Sequence, residues 1–164
     1  MSRQHLEDRE AMWLHEWSAF TRTPYGMLNN FLIHIPNGGT RSLREAKRLK
    51  QMGVLAGVSD YFLAIPAQHC HGLWLELKKP RAAFGGAYEL GRAVSAAQLV
   101  WGDRIQQLGY AFSVAFGFEE ARKAILSYLK AAPLKEINIL QHDILPVSIH
   151  GTLPSDPICP PNSP

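Results

Sequence analysis

The stretch Leu73-Trp74-Leu75-Glu76-Leu77-Lys78 decides the fold, because its apolar residues predict a buried β-strand that also carries an acid and a base. Side chains alternate along a strand, so Glu76 and Lys78 share one face. An earlier apolar run, Tyr61-Phe62-Leu63-Ala64-Ile65, directly follows Asp60. Two such strands paired in one sheet would bring Asp60, Glu76 and Lys78 to one place.

Two carboxylates beside an ammonium group suit metal-dependent cleavage of a phosphodiester. Mg²⁺ prefers oxygen ligands and is usually held by one or two carboxylates. Asp60 and Glu76 are therefore candidate ligands, together with the main-chain carbonyl of Leu77. A bound cation acidifies water and neutralises phosphate charge, and Lys78 would lie beside the attacking water or the phosphorus. For Glu76 and Lys78 alone, a solvent-facing ion pair on a strand is the alternative.

Glu10 and Gln98 are further candidates, each with a structural alternative. The first helix is expected over residues 5–20, and Glu10 lies within its apolar stripe. A buried carboxylate needs compensation of its charge, by a metal ion or a lysine; the alternative is that Glu10 lies at the edge and reaches water. Gln98 ends Ser95-Ala96-Ala97-Gln98, a capping box, yet it also lies near the inward face of its helix. The two stripes are Leu6, Trp13, Leu14, Trp17 and Phe20, and Trp101, Ile105 and Leu108.

A basic segment indicates a polyanion partner. Residues 41–50 contain five basic side chains and one acid, in a chain of formal charge +3. A glycine loop before this expected helix, which Ser42 and Glu45 would cap and Gly53 would end, exposes N–H groups suited to phosphate. The alternative is a solvated helix face. No Walker motif is present, so nucleotide hydrolysis is not indicated. The candidate DNA contacts are Asn37, Gly38, Gly39, Arg41, Arg44, Lys47 and Arg48.

The predicted elements define an α/β fold with a mixed sheet of about four strands and helices on both faces. Strands are expected over residues 31–35, 61–65, 73–78 and 110–116. Helices are expected over 5–20, 42–53, 95–108 and 118–130. Residues 79–94 are expected to form a mobile basic loop beside the site. Seven of the eleven prolines lie between Pro133 and Pro164, so residues 1–130 are the predicted domain and 131–164 a tail, partly docked or disordered.

Cysteine usage and hydropathy indicate a cytoplasmic protein. Cys70 and Cys159 lie far apart in unlike contexts, which disfavours a disulfide framework and favours a reducing compartment. His69-Cys70-His71 places consecutive side chains on alternate faces and is interpreted as loop chemistry rather than a metal site. The N-terminus is polar, and no apolar stretch approaches the roughly 20 residues of a membrane span. Neither a signal peptide nor membrane association is expected.

Several motifs together resemble the virus-type replication-repair nuclease (VRR-NUC) domain of the PD-(D/E)XK, restriction-endonuclease-like superfamily. The similarity covers roughly residues 5–130. It has two departures: Ser59 stands where many relatives have proline, and the segment 79–94 is longer than the usual connection. The motifs are Ile35-Pro36-Asn37-Gly38-Gly39-Thr40-Arg41-Ser42, Arg48-Leu49-Lys50, Gly53-Val54, Gly57-Val58-Ser59-Asp60, Gly72 through Lys78, Gln98, Trp101, Gly109-Tyr110 and Glu120-Ala121.

The resemblance implies a Mg²⁺- or Mn²⁺-dependent DNA endonuclease. By that similarity Asp60 and Glu76 are metal ligands, Lys78 is the catalytic lysine, and Gln98 is the glutamine near the site. Glu10 is then the helical acid of the family and a further metal ligand. Stand-alone members resemble phage or bacterial proteins that dimerise and cut branched DNA such as Holliday junctions. A homodimer in DNA replication or repair, in a bacterial or phage-infected cell, is therefore expected. The alternative is a non-catalytic DNA-binding or scaffold module that retains the fold.

Overall fold

The computed structural model describes residues 3–36, 43–67 and 69–130. The proline-rich tail and four candidate DNA contacts, Asn37, Gly38, Gly39 and Arg41, lie outside these ranges. Within them, no helix is long and apolar enough to cross a membrane. The helices are α1 (Arg3–Phe20), α2 (Leu43–Gln51), α3 (Ala87–Gly91), α4 (Ala96–Gln107) and α5 (Phe118–Lys130). The strands are β1 (Arg22–Thr23), β2 (Gly26–Met27), β3 (Leu32–His34), β4 (Tyr61–Leu63), β5 (Leu73–Lys78) and β6 (Ala111–Phe116).

Four strands form one mixed sheet in the order β3-β4-β5-β6. Strand β4 pairs antiparallel with β3 and β5, and β6 pairs parallel with β5. Parallel pairing needs a crossover, and the chain between β5 and β6 supplies it with α4. The predicted mixed sheet of about four strands with flanking helices is confirmed.

The two faces of β5 contact different layers. Its odd-numbered leucines lie in the hydrophobic core that α1 and α5 complete. On the other face, Trp74 packs edge-to-face against Trp101 of α4, with ring centroids 5.3 Å apart. Because side chains alternate along the strand, Glu76 and Lys78 lie on the face of Trp74. The candidate site is therefore built between the sheet and α4.

The two predicted apolar stripes are less completely buried than their spacing indicated. Phe20 is 81% exposed and Trp13 is 43% exposed, whereas Leu14 is fully buried. Leu108 is 67% exposed, and α4 ends one residue before it. Helical spacing predicts the direction of a side chain, but not how far the neighbouring layer extends to cover it.

A short hairpin that the sequence analysis did not predict follows α1. Strands β1 and β2 pair antiparallel around Thr23-Pro24-Tyr25-Gly26. The hydroxyl of Thr23 donates a hydrogen bond to the Gly26 carbonyl and accepts one from the N–H of Tyr25. Two-residue strands are too short to show a period of two, so the proline and glycine of the turn were the available signal.

The segment 79–94 was predicted as a mobile basic loop, but part of it is helical. It contains a 3₁₀ turn at Arg81–Ala83 and the helix α3. Arg81 forms an ion pair with Glu120 at 2.6 Å and lies over the ring of Phe116. These contacts attach the start of the segment to the corner between β6 and α5, immediately beyond the candidate site.

Candidate active site

Asp60 lies immediately before β4 and reaches across to β5. Its backbone carbonyl accepts a hydrogen bond from the N–H of Ile35 at 2.7 Å. Its Oδ2 accepts a second bond, at 3.0 Å, from the N–H of Leu77. Just beyond the end of β4, the Asp60 carboxylate thus accepts the hydrogen bond that a backbone carbonyl of a longer β4 would accept from β5. Strand pairing brings Asp60 to the level of Glu76, as expected from the sequence.

Glu76 is a buried carboxylate with unequal oxygen atoms. The side chain is only 1% exposed, so the solvent-facing alternative for the Glu76–Lys78 pair does not hold. Its Oε1 accepts hydrogen bonds from Lys78 Nζ at 2.6 Å and from the side-chain amide of Gln98. Its Oε2 is buried and has no hydrogen-bond partner among the residues that the structure describes. A buried carboxylate oxygen in this state lacks the compensation that burial requires.

The electrostatics of Glu76 reflect this arrangement. Its pKa is raised to about 7, first by burial and then by the neighbouring negative charge of Asp60, while the Lys78 ammonium acts in the opposite direction. A positive charge between the two carboxylates would favour their ionised forms. The pair therefore has the electrostatic character of a cation site.

Gln98 connects α4 to Glu76 and also caps its own helix. The hydroxyl of Ser95 accepts a hydrogen bond from the N–H of Gln98 at 3.3 Å, and Gln98 Oε1 accepts one from the N–H of Ser95 at 2.8 Å. The amide nitrogen of the same side chain donates to Glu76. The two interpretations that the sequence left open are both correct, because each uses a different end of the amide.

Gly57 packs the segment before Asp60 against the start of α4. Its φ of +84° lies in the left-handed region, and a Cβ at this position would overlap the carbonyl of Ala97. Only glycine satisfies both conditions without displacement. Gly57 was identified from the sequence only as part of a motif, because nothing in the local sequence shows which distant backbone it meets.

Glu10 lies with α1, in the layer on the other side of the sheet from α4. It is 3% exposed, so the alternative in which it reaches water is wrong. Its Oε2 accepts a hydrogen bond from the N–H of Phe118 at 2.8 Å, and Oε1 accepts one from Arg9 at 3.2 Å. The carboxylate thus satisfies an N–H group at the N-terminus of α5 and offsets the partial positive charge there. The structure unites Asp60, Glu76, Lys78 and Gln98, but these contacts do not join Glu10 to them.

The donor set fits a hard divalent cation with few protein ligands. The free oxygen of Glu76 and the carboxylate of Asp60 supply two oxygens. The N–H and C=O of a strand residue point to the same side, so the Leu77 carbonyl is directed to the side of Asp60. Among the described residues, no group of three or more His, Cys, Asp or Glu side chains could hold a metal. Mg²⁺ needs no such group, since it keeps several of its waters.

The described part of the basic segment lies on α2. Arg44, Lys47 and Arg48 are exposed, and Lys50 lies in the last turn. Gly53 follows the helix with φ +87°, the conformation expected of a C-terminal cap. The alternative of a solvated face stays open, because exposure suits both DNA contact and solvation.

Comparison with solved structures identifies the class of domain. A structure described as a VRR_NUC domain protein superposes with a TM-score of 0.62 at 25% sequence identity, covering 77% of this chain and 89% of that chain. No protein-family model and no curated protein matches the sequence.

The likeness to that structure confirms the resemblance drawn from the sequence. That likeness supports a VRR-NUC domain in this chain, and the four-stranded mixed sheet with its flanking helices is consistent with a restriction-endonuclease-like fold. The comparison therefore supports a nuclease-family domain in general.

Proposed function

We propose that this protein is a Mg²⁺- or Mn²⁺-dependent endodeoxyribonuclease that hydrolyses phosphodiester bonds in branched or otherwise structured DNA. One observation carries the proposal. The buried carboxylate of Glu76 has two donors on one oxygen and none among the described residues on the other, and it lies beside Asp60. A VRR-NUC fold around such a site favours phosphodiester chemistry over a purely structural role.

In this proposal each side chain has a separate task. Asp60 and the free oxygen of Glu76 hold the cation, with the Leu77 carbonyl as a further ligand. When bound, the cation lowers the pKa of water and offsets the negative charge of the scissile phosphate. Lys78, whose ammonium lies 2.6 Å from Glu76 Oε1, supplies positive charge as negative charge builds up on the phosphate oxygens. Gln98 fixes the orientation of the Glu76 carboxylate.

DNA reaches the site along the basic segment. Arg44, Lys47 and Arg48 contact backbone phosphates, which positions the DNA without specifying its sequence. Asn37, Gly38, Gly39 and Arg41, which lie outside the described residues, are the further DNA contacts that we propose. Paired nicks across a four-way junction need two active sites related by a two-fold axis, so the acting species is a homodimer. We also propose a role in DNA replication or repair in a bacterial or phage-infected cell, as the resemblance to stand-alone VRR-NUC proteins implies.

A cleavage assay tests the proposal. Labelled four-way junction, splayed-arm, linear duplex and single-stranded DNA are incubated with Mg²⁺, Mn²⁺ or EDTA. We compare wild type, Glu76→Ala and, as a matched control, Glu119→Ala, which changes an exposed carboxylate on α5. The branched substrate should be cut only with metal, and Glu76→Ala should lose cutting but keep DNA binding. Wild-type protein that binds these substrates and cuts none would establish the scaffold alternative instead.

A salt titration tests the DNA contacts. Replacing Lys47 and Arg48 by serine should reduce the slope of log binding constant against log salt by about 1.8, since each phosphate contact contributes roughly 0.9. The control variant replaces Arg104 and Lys123, which are exposed basic residues on α4 and α5. An unchanged slope in the first variant, or an equal change in both, would reject α2 as the DNA-binding element.

A further inference from the structure

We infer that Ser95 is a positioning residue of the candidate active site, acting through Gln98 on Glu76. The effect of Ser95 on metal binding rests on the proposed function, whereas the hydrogen bonds that connect Ser95 to Glu76 are observed directly in the structure. Ser95 lies at the N-cap of α4, and its role there combines two hydrogen bonds. Its hydroxyl accepts from the N–H of Gln98, and its own N–H donates to Gln98 Oε1 at 2.8 Å.

The second of these bonds sets the orientation of the Gln98 amide. A glutamine amide has one acceptor end and one donor end. Since Oε1 is occupied by the N–H of Ser95, the NH₂ end must face the opposite way, and it donates to Glu76 Oε1. A flipped amide would place a carbonyl oxygen against a carboxylate oxygen and leave the Ser95 N–H without its acceptor.

The orientation of Gln98 in turn controls Glu76 Oε2, the oxygen that has no hydrogen-bond partner in the described part of the chain. Lys78 and Gln98 both bind Oε1, which leaves Oε2 available beside Asp60. Without the amide, one flexible ammonium group would hold the carboxylate, and Glu76 could rotate about its terminal bond. The helix cap is thereby connected to the geometry of the two candidate ligands.

The backbone of Ser95 allows its two roles to be separated by substitution. Its φ of −75° lies within the range that proline imposes. Ser95→Ala removes the hydroxyl and keeps the N–H, so it weakens the cap but leaves the Gln98 amide in place. Ser95→Pro removes both groups and frees the amide. The alanine variant is thus the matched control for the proline variant.

The first test measures Mg²⁺ affinity by calorimetry on the full chain, without DNA. Loss of an outer hydrogen-bond partner typically weakens metal binding by about tenfold or more. We expect this loss for Ser95→Pro and for Gln98→Met, and a change of less than about twofold for Ser95→Ala. The double variant Ser95→Pro/Gln98→Met should be no weaker than Gln98→Met alone, because Ser95 acts through Gln98. Additive losses, or equal losses for Ser95→Ala and Ser95→Pro, would overturn the inference.

A second test needs neither metal nor a variant of Ser95. Gln98→Met removes the acceptor of the Ser95 N–H, so amide hydrogen exchange at Ser95 should quicken by about fivefold, the factor that one hydrogen bond contributes. An unchanged rate would overturn the inference even if Ser95→Pro did not fold. If wild type binds Mg²⁺ with the expected variant pattern and cuts no DNA, the proposed function fails while the positioning role stands.

Discussion

Glu10 and Glu76 are both buried glutamates, 3% and 1% exposed, yet their carboxylates are surrounded by different sets of hydrogen-bond donors. Each oxygen of Glu10 has a donor, one from Arg9 and one from the N–H of Phe118. Glu76 has two donors on one oxygen and none among the described residues on the other. Glu10 is compensated within the fold, whereas Glu76 lies beside a second carboxylate that adds to its charge.

The difference shows that a buried acid is not by itself a sign of catalysis. Helix N-termini have unpaired N–H groups and partial positive charge, so the start of α5 can stabilise a carboxylate without any metal. What distinguishes a candidate metal ligand is an oxygen that the fold leaves without a donor while it holds the other oxygen in place. Glu76 meets that criterion and Glu10 does not.

The difference between Glu76 and Glu10 depends on Asp60 being held beside Glu76. A substitution at Gly57 should disturb that position of Asp60 the most. Gly57→Ala combines a left-handed φ with an overlap on the Ala97 carbonyl, so it should lower the free energy of unfolding by about 2–5 kcal/mol. It should also weaken Mg²⁺ binding. Urea unfolding and calorimetry measure the two effects.

Gly53→Ala is the matched control for that substitution. Gly53 has nearly the same φ, +87°, but nothing lies within 4 Å of its Cβ position. Gly53→Ala should lower the free energy of unfolding only by the conformational cost of a left-handed alanine, about 1–2 kcal/mol. Its Mg²⁺ affinity should equal that of wild type. Equal effects at Gly53 and Gly57 would show that packing against α4 does not position Asp60.

The raised pKa of Glu76 predicts how the metal-free protein responds to pH. The fold favours the protonated form of Glu76 over the ionised form. The contribution of this carboxyl to the free energy of unfolding is therefore fully favourable below pH 4.5 and is lost as pH rises through about 7. The loss is at most about 3 kcal/mol, since each pKa unit corresponds to 1.36 kcal/mol. Glu76→Gln should therefore stabilise the protein in EDTA at pH 8 and change it little at pH 4.

Urea unfolding at both pH values, with exposed Glu119→Gln as the control, measures this effect. Mg²⁺ should reverse the order at pH 8, because only wild type retains both ligands. A wild-type protein whose stability in EDTA is no lower than that of Glu76→Gln at pH 8 would mean that Glu76 is compensated as fully as Glu10.

The sequence predicted the sheet more completely than the site. The apolar run from Leu73 to Lys78 and the capping box at Ser95 are local patterns, so their elements were predicted with nearly correct bounds. The convergence of Asp60 with Glu76 followed from pairing the two strands. The partners of Glu10 could not be predicted in this way, because the N–H of Phe118 lies 108 residues away in the sequence. Helical spacing put Glu10 within the apolar stripe, but it decided neither whether Glu10 is buried nor which group meets its carboxylate.

Glu10→Gln gives the smallest expected effect and tests the other side of the comparison. The amide can still accept from the N–H of Phe118, but the negative charge at the start of α5 and the ion pair with Arg9 are lost. The free energy of unfolding should fall by about 1–2 kcal/mol, and stabilisation by Mg²⁺ should match wild type. Thermal unfolding with and without Mg²⁺ measures both, with the exposed Glu16→Gln as control.

The same measurement decides between the helix cap and the ligand role that the family resemblance implies for Glu10. A cap acts on folding in the presence or absence of metal, so its removal lowers the melting temperature equally in Mg²⁺ and in EDTA. A ligand acts only when the cation is bound, so its removal abolishes the difference between the two conditions. If Glu10→Gln loses the Mg²⁺-induced shift as Glu76→Gln does, the two buried glutamates belong to one site, and the distinction drawn from their hydrogen bonds is wrong.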